Sequence, residues 1–330
     1  MIYLKIQKSR IIKGLVILFL ISMTLSPHAT YQGASSGLLL WFHNVLPNLL
    51  PFIIVSNLMI SLSLTKQISK IFYPLLGRLF GVSRNGCYPI ILGFLSGIPL
   101  GAKSTADLVS EQKISKEEGQ FLLTMCNNAS PMFLIGYIAI TQLELPRVKY
   151  ILLVIVYGSA IISAFLGRSF YYKFQKKKIN LQQIIVDNRK TDQASLQKVS
   201  HPTHFSFDLL DNSIMNGFEV ITKIGGYIIL FSILAQIVKE IGPDISYLKA
   251  FLMGILEITT GINQICNTGI DIKTKIVLIA VLTSFGGLSG MAQTKSVIGN
   301  TRLSMKFYFY VKLINAVVTF VLALLYVTLF

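Results

Sequence analysis

Two short glycine-rich segments combine helix-breaking residues with polar side chains inside apolar sequence. They are Phe94-Leu-Ser-Gly-Ile-Pro-Leu-Gly-Ala-Lys103 and Ser284-Phe-Gly-Gly-Leu-Ser-Gly-Met-Ala-Gln293. Glycine permits unusual dihedrals and proline lacks an amide donor, so both segments are expected to interrupt a helix. A helix interrupted within a membrane exposes N-termini that suit carboxylates. Close packing through small residues is the alternative, but two copies in corresponding halves favour a substrate site. Its predicted residues here are Ser96, Gly97, Pro99, Gly101, Gly286 and Gly287.

Two lysines stand beside these segments. Lys103 ends the first segment and Lys295 follows the second. If both segments meet near the membrane midplane, the two ammonium groups would face an anionic substrate such as a pyridine dicarboxylate. Gln293 and Thr294 would add neutral hydrogen-bonding groups. Alternatively, each lysine extends to the membrane surface.

Glu257 is the carboxylate most deeply set in apolar sequence, and ionisable groups at membrane depth are functional hypotheses by default. We expect it to bind a coupling proton or cation, to pair with a lysine, or to form a structural salt bridge. A polar cluster before Pro131 either bonds substrate or satisfies a bent backbone. The further predicted binding residues are Asn127, Asn128, Ser130, Thr259 and Asn263.

Enzymatic chemistry has little support in the sequence. It contains no Ser-His-Asp set, no phosphate-binding glycine loop beside a strand and no paired His/Glu metal motif. The spacing of Cys87, Cys126 and Cys266 suits neither a metal site nor a disulfide framework. We therefore expect no enzyme activity, no cofactor and no metal.

The composition predicts an integral membrane protein. Hydrophobic residues make up 53% of the chain and charged residues 13%, and the mean hydropathy is +0.64. Apolar runs long enough to span a bilayer recur along the sequence. The predicted spans are 11–26, 37–62, 119–143, 150–171, 213–238 and 305–330, with 11–26 as an uncleaved first span.

The net charge of +16 predicts membrane topology and lipid contact rather than nucleic-acid binding. Lysine and arginine concentrate in residues 1–13, in 63–86 and in the connector after 167, whereas 27–36 has neither. The positive-inside rule places the three basic regions in the cytoplasm and 27–36 outside.

These orientations predict an all-α, polytopic fold of inverted repeats, each with a re-entrant broken-helix hairpin. Segment 66–82 is predicted as an interfacial amphipathic helix, and 87–104 enters the membrane and returns. Segment 247–267 is either a full span or a partly unwound one, and the side of the C-terminus depends on that choice. The predicted units are an anchor helix with an outer loop (1–36), a first repeat with a linking span (37–172), a basic cytoplasmic connector (173–206) and a second repeat (207–330).

Several segments together resemble the YlbJ (SpoVV) family of sporulation integral membrane proteins, within the wider nucleoside-recognition or Gate domain group. They are Gly93–Lys103, Lys113–Glu118, Cys126–Pro131, Leu256–Gly261 and Ser284–Thr294. The resemblance implies a multi-pass protein of endospore-forming bacteria that helps to move dipicolinate out of the mother cell across the outer forespore membrane.

Three functions follow as hypotheses. The first is a secondary-type transporter of a small anionic solute, dipicolinate by resemblance. The second is a nucleoside or nucleobase carrier, for which Asn127, Asn128, Asn263 and Gln293 would matter most. The third is a non-transporting membrane scaffold in spore envelope assembly. Expected partners are the solute, membrane lipids and other membrane proteins.

Overall fold

The structure is a computed structural model that describes residues 2–62, 64–182, 206–241, 245–299 and 301–329. Its secondary structure in these ranges is helical, with no strand. This confirms the all-α prediction. The helices before the connector are α1 (Ile2–Leu25), α2 (Pro27–Leu40), α3 (Leu46–Ser61), α4 (Thr65–Phe80), α5 (Cys87–Ser96), α6 (Leu100–Ser110), α7 (Lys116–Cys126) and α8 (Lys149–Gln182).

Short non-α segments complete this half. A π-helical segment, Trp41–Val45, joins α2 to α3, and a second one, Phe133–Gln142, follows α7. A 3-10 turn at Pro146–Val148 leads into α8. The second half contains α9 (Phe207–Ile241), α10 (Ser246–Leu256), α11 (Ile258–Cys266), α12 (Ile272–Phe285), α13 (Gly287–Ile298) and α14 (Met305–Leu329).

Several helices have the length and apolarity needed to cross a bilayer. Four such stretches are Pro146–Phe170, Phe207–Ile241, Ile272–Ile298 and Met305–Leu329. The pair Lys13–Leu25 and Pro27–Val45 passes the same test jointly but is bent by 104°. Together with the all-helical fold, they confirm a polytopic membrane protein.

The first predicted hairpin is present and consists of α5 and α6. In a continuous helix, Gly93 and Gly101 would lie roughly 12 Å apart. Instead, a Cβ atom on Gly101 would lie 3.1 Å from the Cα of Gly93. The chain reverses at Gly97, whose φ of +80° suits glycine.

The second hairpin lies at α10 and α11, and not at the second glycine-rich segment. A Cβ on Gly261 would overlap the Cα of Gly254, so the chain reverses between them, at Glu257. Segment 247–267 is therefore neither a full span nor a partly unwound one. It enters and leaves on one side.

The segment Ser284–Gln293 interrupts a span without reversing it. Gly286 and Gly287 have φ values of +85° and +64°, and they separate α12 from α13. The stretch Ile272–Ile298 nevertheless continues as one crossing. Its counterpart in the first half is α7 and the segment Phe133–Gln142, so the predicted span 119–143 is interrupted at 127–130.

Equivalent helices of the two halves pack antiparallel, which is the arrangement that inverted repeats produce. Along α2–α3 and α9, a Cβ on Gly33 would meet Ile233, and Asn57 Nδ2 donates a hydrogen bond to the Ser213 carbonyl. Along α8 and α14, the Ser159 and Thr319 hydroxyl oxygens lie 2.7 Å apart, and a Cβ on Gly167 would meet Val311.

Each repeat thus contains a long helix, a hairpin, an interrupted span and a final span, with α4 as an extra element in the first. Residues 27–36, predicted as an outer loop, belong to α2, because the first repeat's long helix begins at Pro27. The connector predicted at 173–206 is helical up to Gln182, and 183–205 lies outside the described residues. With that connector in the cytoplasm, hairpin α5–α6 enters from the cytoplasmic side and α10–α11 from the other.

The hydrophobic core has two main clusters. One surrounds the first hairpin and includes Leu49, Leu92 and Leu122, whereas the other surrounds the second hairpin and includes Ile262 and Ile279. Each hairpin is therefore packed within protein, as re-entrant backbone at membrane depth requires.

Candidate functional site

The two hairpin tips and the two interruptions surround one central cavity of about 510 Å³. Residues of both repeats form its wall, so neither half encloses it alone. The residues that line the cavity are Leu40, Asn44, Val45, Leu49, Ser96, Ile98, Ala129, Ser130, Met132, Phe133, Gly136, Tyr137, Ile140, Thr141, Ile228, Glu257, Ile258, Thr259, Gly286, Ser289, Gly290 and Gln293.

The first hairpin tip is fixed to the interruption of its own repeat. The Ile98 amide donates a hydrogen bond of 2.8 Å to the Asn128 carbonyl. A Cβ on Gly97 would lie 2.6 Å from the Ser130 nitrogen, which excludes a larger residue. The tip therefore has a defined position on the cavity wall.

The second tip is held by capping and by a cross-repeat contact. The Glu257 carboxylate accepts hydrogen bonds from the Thr260 amide (2.7 Å) and hydroxyl (2.9 Å), so it caps α11. The Tyr137 hydroxyl donates to the Thr259 carbonyl at 3.1 Å. Glu257 is only 3% exposed.

Helix termini of both polarities lie at the wall of the cavity. The helices α6, α11 and α13 begin at or next to lining residues, and Ser130 caps the helical turn that leads into Phe133–Gln142. Each N-terminus carries about half a positive elementary charge. The helices α5, α10 and α12 end at the same interruptions, so the partial negative charges of C-termini and the Glu257 carboxylate offset these positive charges. The free amides of the N-termini can still donate hydrogen bonds to a carboxylate of a solute.

Some of the predicted site residues reach the cavity and others support it. Ser96 lines it, and its hydroxyl has no hydrogen-bond partner among the described residues. Gly97 and Pro99 form the first tip, and Gly287 packs on Ile258 of the second. The other predicted residues on the wall are Ser130, Glu257, Thr259, Gly286 and Gln293.

The predicted amides at 127 and 128 lie behind the wall. Asn127 Nδ2 donates to the Thr294 hydroxyl (2.7 Å) and to the Tyr308 hydroxyl (2.8 Å). Asn128 Nδ2 donates to the Met125 carbonyl at 2.6 Å. Gly101 packs against the Cys126 carbonyl. These groups hold elements together and do not line the cavity.

The two predicted cations do not face a common solute. Lys103 pairs with Asp107 at 2.8 Å and contacts Asn57, in a separate cavity of about 470 Å³. Lys295 is exposed. The reason is geometric, because the second glycine-rich segment is not a hairpin tip. Asn263 also lies outside the cavity, where its amide bonds Gln142.

Sequence analysis missed Lys312 and several wall residues. Lys312 is 1% exposed within α14 and donates hydrogen bonds to Asn128 Oδ1 and to the Ser284 carbonyl. The sequence feature that could have identified it is a lone lysine within an apolar run. Asn44, Tyr137 and Ser289 had no comparable signal.

The helices and the cavity define the class as a polytopic α-helical membrane protein with two inverted repeats around a central site. The chain is 25% identical, over an alignment of 336 residues, to the sporulation integral membrane protein YlbJ of Bacillus subtilis (strain 168). The match covers 93% of this chain and 80% of that protein. This similarity agrees with the resemblance to the YlbJ family that the sequence motifs indicate. No protein-family model and no solved structure matches it.

Proposed function

We propose that this chain is a secondary-type transporter that carries a small anionic organic solute through the central cavity by alternating access. The observation that supports this most directly is the convergence of four interruptions, two from each inverted repeat, on one cavity. Irregular backbone at membrane depth occurs where it lines such a site. The proposal assigns no chemical reaction to the chain.

The wall favours a solute with a flat apolar body and a carboxylate. Phe133 and Ile98 supply apolar surface, while Ser96, Ser130 and Gln293 supply hydrogen-bonding groups. A volume of about 510 Å³ lies within the usual range for small-molecule sites. Dipicolinate has this chemistry, and the relative's sporulation role makes the outer forespore membrane the proposed location.

A neutral nucleoside or nucleobase is the second candidate. Among the described residues, Glu257 is the one charged side chain on the cavity wall, and no lysine or arginine accompanies it. A neutral solute would avoid repulsion from this carboxylate and would use hydrogen bonds to Gln293 and Asn44.

Uptake into proteoliposomes distinguishes the candidates. We expect the purified full chain to take up labelled dipicolinate and expect excess unlabelled dipicolinate to compete better than a nucleoside. The reverse order would favour the nucleoside carrier. No flux of either solute would overturn transport of these solutes and would favour a scaffold role.

A variant that fills the cavity links uptake to this site. A Cβ on Gly290 would come no closer than 3.8 Å to Ile98, so Gly290→Leu projects into the cavity without backbone overlap. We expect at least a tenfold loss of uptake. Gly226→Leu is the matched control, because Gly226 is exposed on α9 with nothing within 4 Å of its Cβ position. Equal uptake by the two variants would exclude the cavity as the route.

A further inference from the structure

Lys312 is a buried ammonium group at the junction of the two repeats. Its Nζ lies 3.0 Å from Asn128 Oδ1 and 3.2 Å from the Ser284 carbonyl oxygen. The Tyr308 ring centroid is 5.8 Å away. Among the described residues no carboxylate forms an ion pair with it. Burial of an uncompensated charge is costly in free energy, so a lysine at this buried position calls for a functional explanation.

Residues that bond Lys312, or that lie next to its partners, carry further oxygen atoms that are not hydrogen-bonded. The Ser284 carbonyl also accepts a hydrogen bond from Asn315 Nδ2 at 3.2 Å. Asn127 Oδ1, Ser284 Oγ and Asn315 Oδ1 are buried and have no partner among the described residues. An ammonium has three donors, and two of them are bonded here. The cluster thus suits a cation more than a neutral amine.

Lys312 bonds one residue at the interruption of each repeat. Asn128 lies in the interruption of the first repeat, and its carbonyl also holds the first hairpin tip through Ile98. Ser284 lies two residues before Gly286, in the last turn of α12. Protonated Lys312 therefore ties both interruptions to α14, and loss of the proton would weaken both bonds.

Other titratable groups near Lys312 are a thiol and phenols. The helix α14 packs against α7, α8 and α12. Cys126 of α7 is buried, Tyr157 of α8 donates to the Phe94 and Ala129 carbonyls, and Tyr308 bonds Asn127. The remaining ionisable groups of these neighbours lie near the ends of the membrane-length stretches or beyond them, namely Lys116, Glu117, Glu118, Lys149, Tyr150, Arg168, Tyr171, Tyr172, Lys173, Lys176, Lys177, Lys178, Lys273 and Lys275.

We propose that Lys312 is a proton-binding site that couples solute movement to a proton gradient. The lysine carries the proton while it bonds both interruptions, and it releases that proton to water as a neutral amine when they separate. The inference rests on the proposed transport function but assigns the coupling ion and its position. It makes Lys312 a positioning residue that does not contact the solute.

Two readouts in proteoliposomes of the full chain test this role, with dipicolinate as the probe. One is solute exchange at equal pH on both sides, and the other is accumulation driven by an imposed pH gradient. For Lys312→Arg we expect the ratio of driven accumulation to exchange to fall at least tenfold, because a guanidinium keeps the charge and donors but does not release its proton. Lys312→Met should lower the same ratio.

The arginine variant separates coupling from simple stabilisation. A purely structural lysine predicts a wild-type ratio for Lys312→Arg, which would overturn the proposal even if Lys312→Met fails to fold. Lys306→Met is the control, since Lys306 is exposed on the same helix, and its ratio should not change. Wild-type exchange without any response to the pH gradient would also refute proton coupling while leaving transport intact. Absence of exchange by the wild-type protein would count against both the transport function and the coupling role of Lys312.

Discussion

At the scale of single residues, the two hairpin tips use different chemistry to reverse the chain. The first tip needs Gly97, whose φ of +80° is strained for other residues. The second reverses at Glu257, whose φ of −141° and ψ of 117° are open to any residue. A carboxylate replaces glycine there because it can cap the helix that follows. Glu257 therefore combines a structural role with a charge on the cavity wall.

The variant Glu257→Gln tests the sign of the solute's charge. The amide oxygen of the introduced glutamine can still accept the Thr260 hydrogen bond, so the cap is largely retained. For an anionic solute, removal of the negative charge should lower the KM of uptake by at least about fivefold, since like charges near 4 Å repel by about 1 kcal/mol or more. A raised KM would instead favour a neutral solute that bonds the carboxylate. The measurement is initial uptake against solute concentration.

A glycine near the tip of the first hairpin, Gly101, permits a very close contact between α6 and the end of α7. A Cβ on Gly101 would overlap the Cys126 carbonyl oxygen, a backbone atom that cannot swing away. We expect Gly101→Ala to lower the thermal unfolding midpoint, with a cost of about 1–3 kcal/mol from overpacking. Gly158→Ala is the control, because nothing lies within 4 Å of that position. An unchanged midpoint for Gly101→Ala would contradict the hairpin geometry.

At the scale of elements, helix pairing between the repeats explains why both halves are needed for one cavity. The long helices α2–α3 and α9 pack antiparallel, and so do the final spans α8 and α14. These pairs place the two hairpins on opposite sides of the membrane with their tips facing each other. Alternating access requires such a fixed frame around movable hairpins.

A double-cysteine variant tests the antiparallel packing of α8 and α14. Ser159 and Thr319 are both fully buried, and their hydroxyl oxygens are 2.7 Å apart. Cysteines at these positions should form a disulfide, because the side chains point at each other within the reach of that bond. With a protease site inserted at 183–205, the cleaved halves should stay together until a reductant is added. Single-cysteine variants provide the control, and separation of the oxidised double variant would contradict the packing.

At the scale of the whole molecule, the sequence predicted what depends on composition and backbone breakers. Apolar runs indicated the membrane class, and Gly97 with Pro99 indicated the first hairpin. The second hairpin was misplaced because its turn at Glu257 contains neither glycine nor proline. The pair Gly254 and Gly261 flanks that turn as Gly93 and Gly101 flank the first, and this spacing was the missed signal.

Tertiary contacts account for the other differences between the predicted and the observed site residues. Lys103 and Lys295 were expected at one site because both follow glycine-rich segments, but only one of these segments is a hairpin tip. Conversely, Lys312 lies far along the chain from Asn128, and their hydrogen bond follows from the packing of α14 on α7. Local sequence patterns do not carry such contacts.

The placement of the second hairpin fixes the topology of the C-terminal half, and cysteine labelling can measure it. With the connector in the cytoplasm, α9 runs outward and the hairpin α10–α11 returns to the outer side. Lys273 is then outside, whereas Lys116 and Lys306 are inside, and all three are exposed. If 247–267 crossed the membrane, Lys273 and Lys306 would exchange sides.

In a Cys266→Ala background, an impermeant maleimide added to intact cells should label a cysteine at 273 at once, and cysteines at 116 or 306 only after the membrane is permeabilised. Immediate labelling at 306 but not at 273 would show a full span in place of the hairpin, and the two tips would no longer face each other across one cavity.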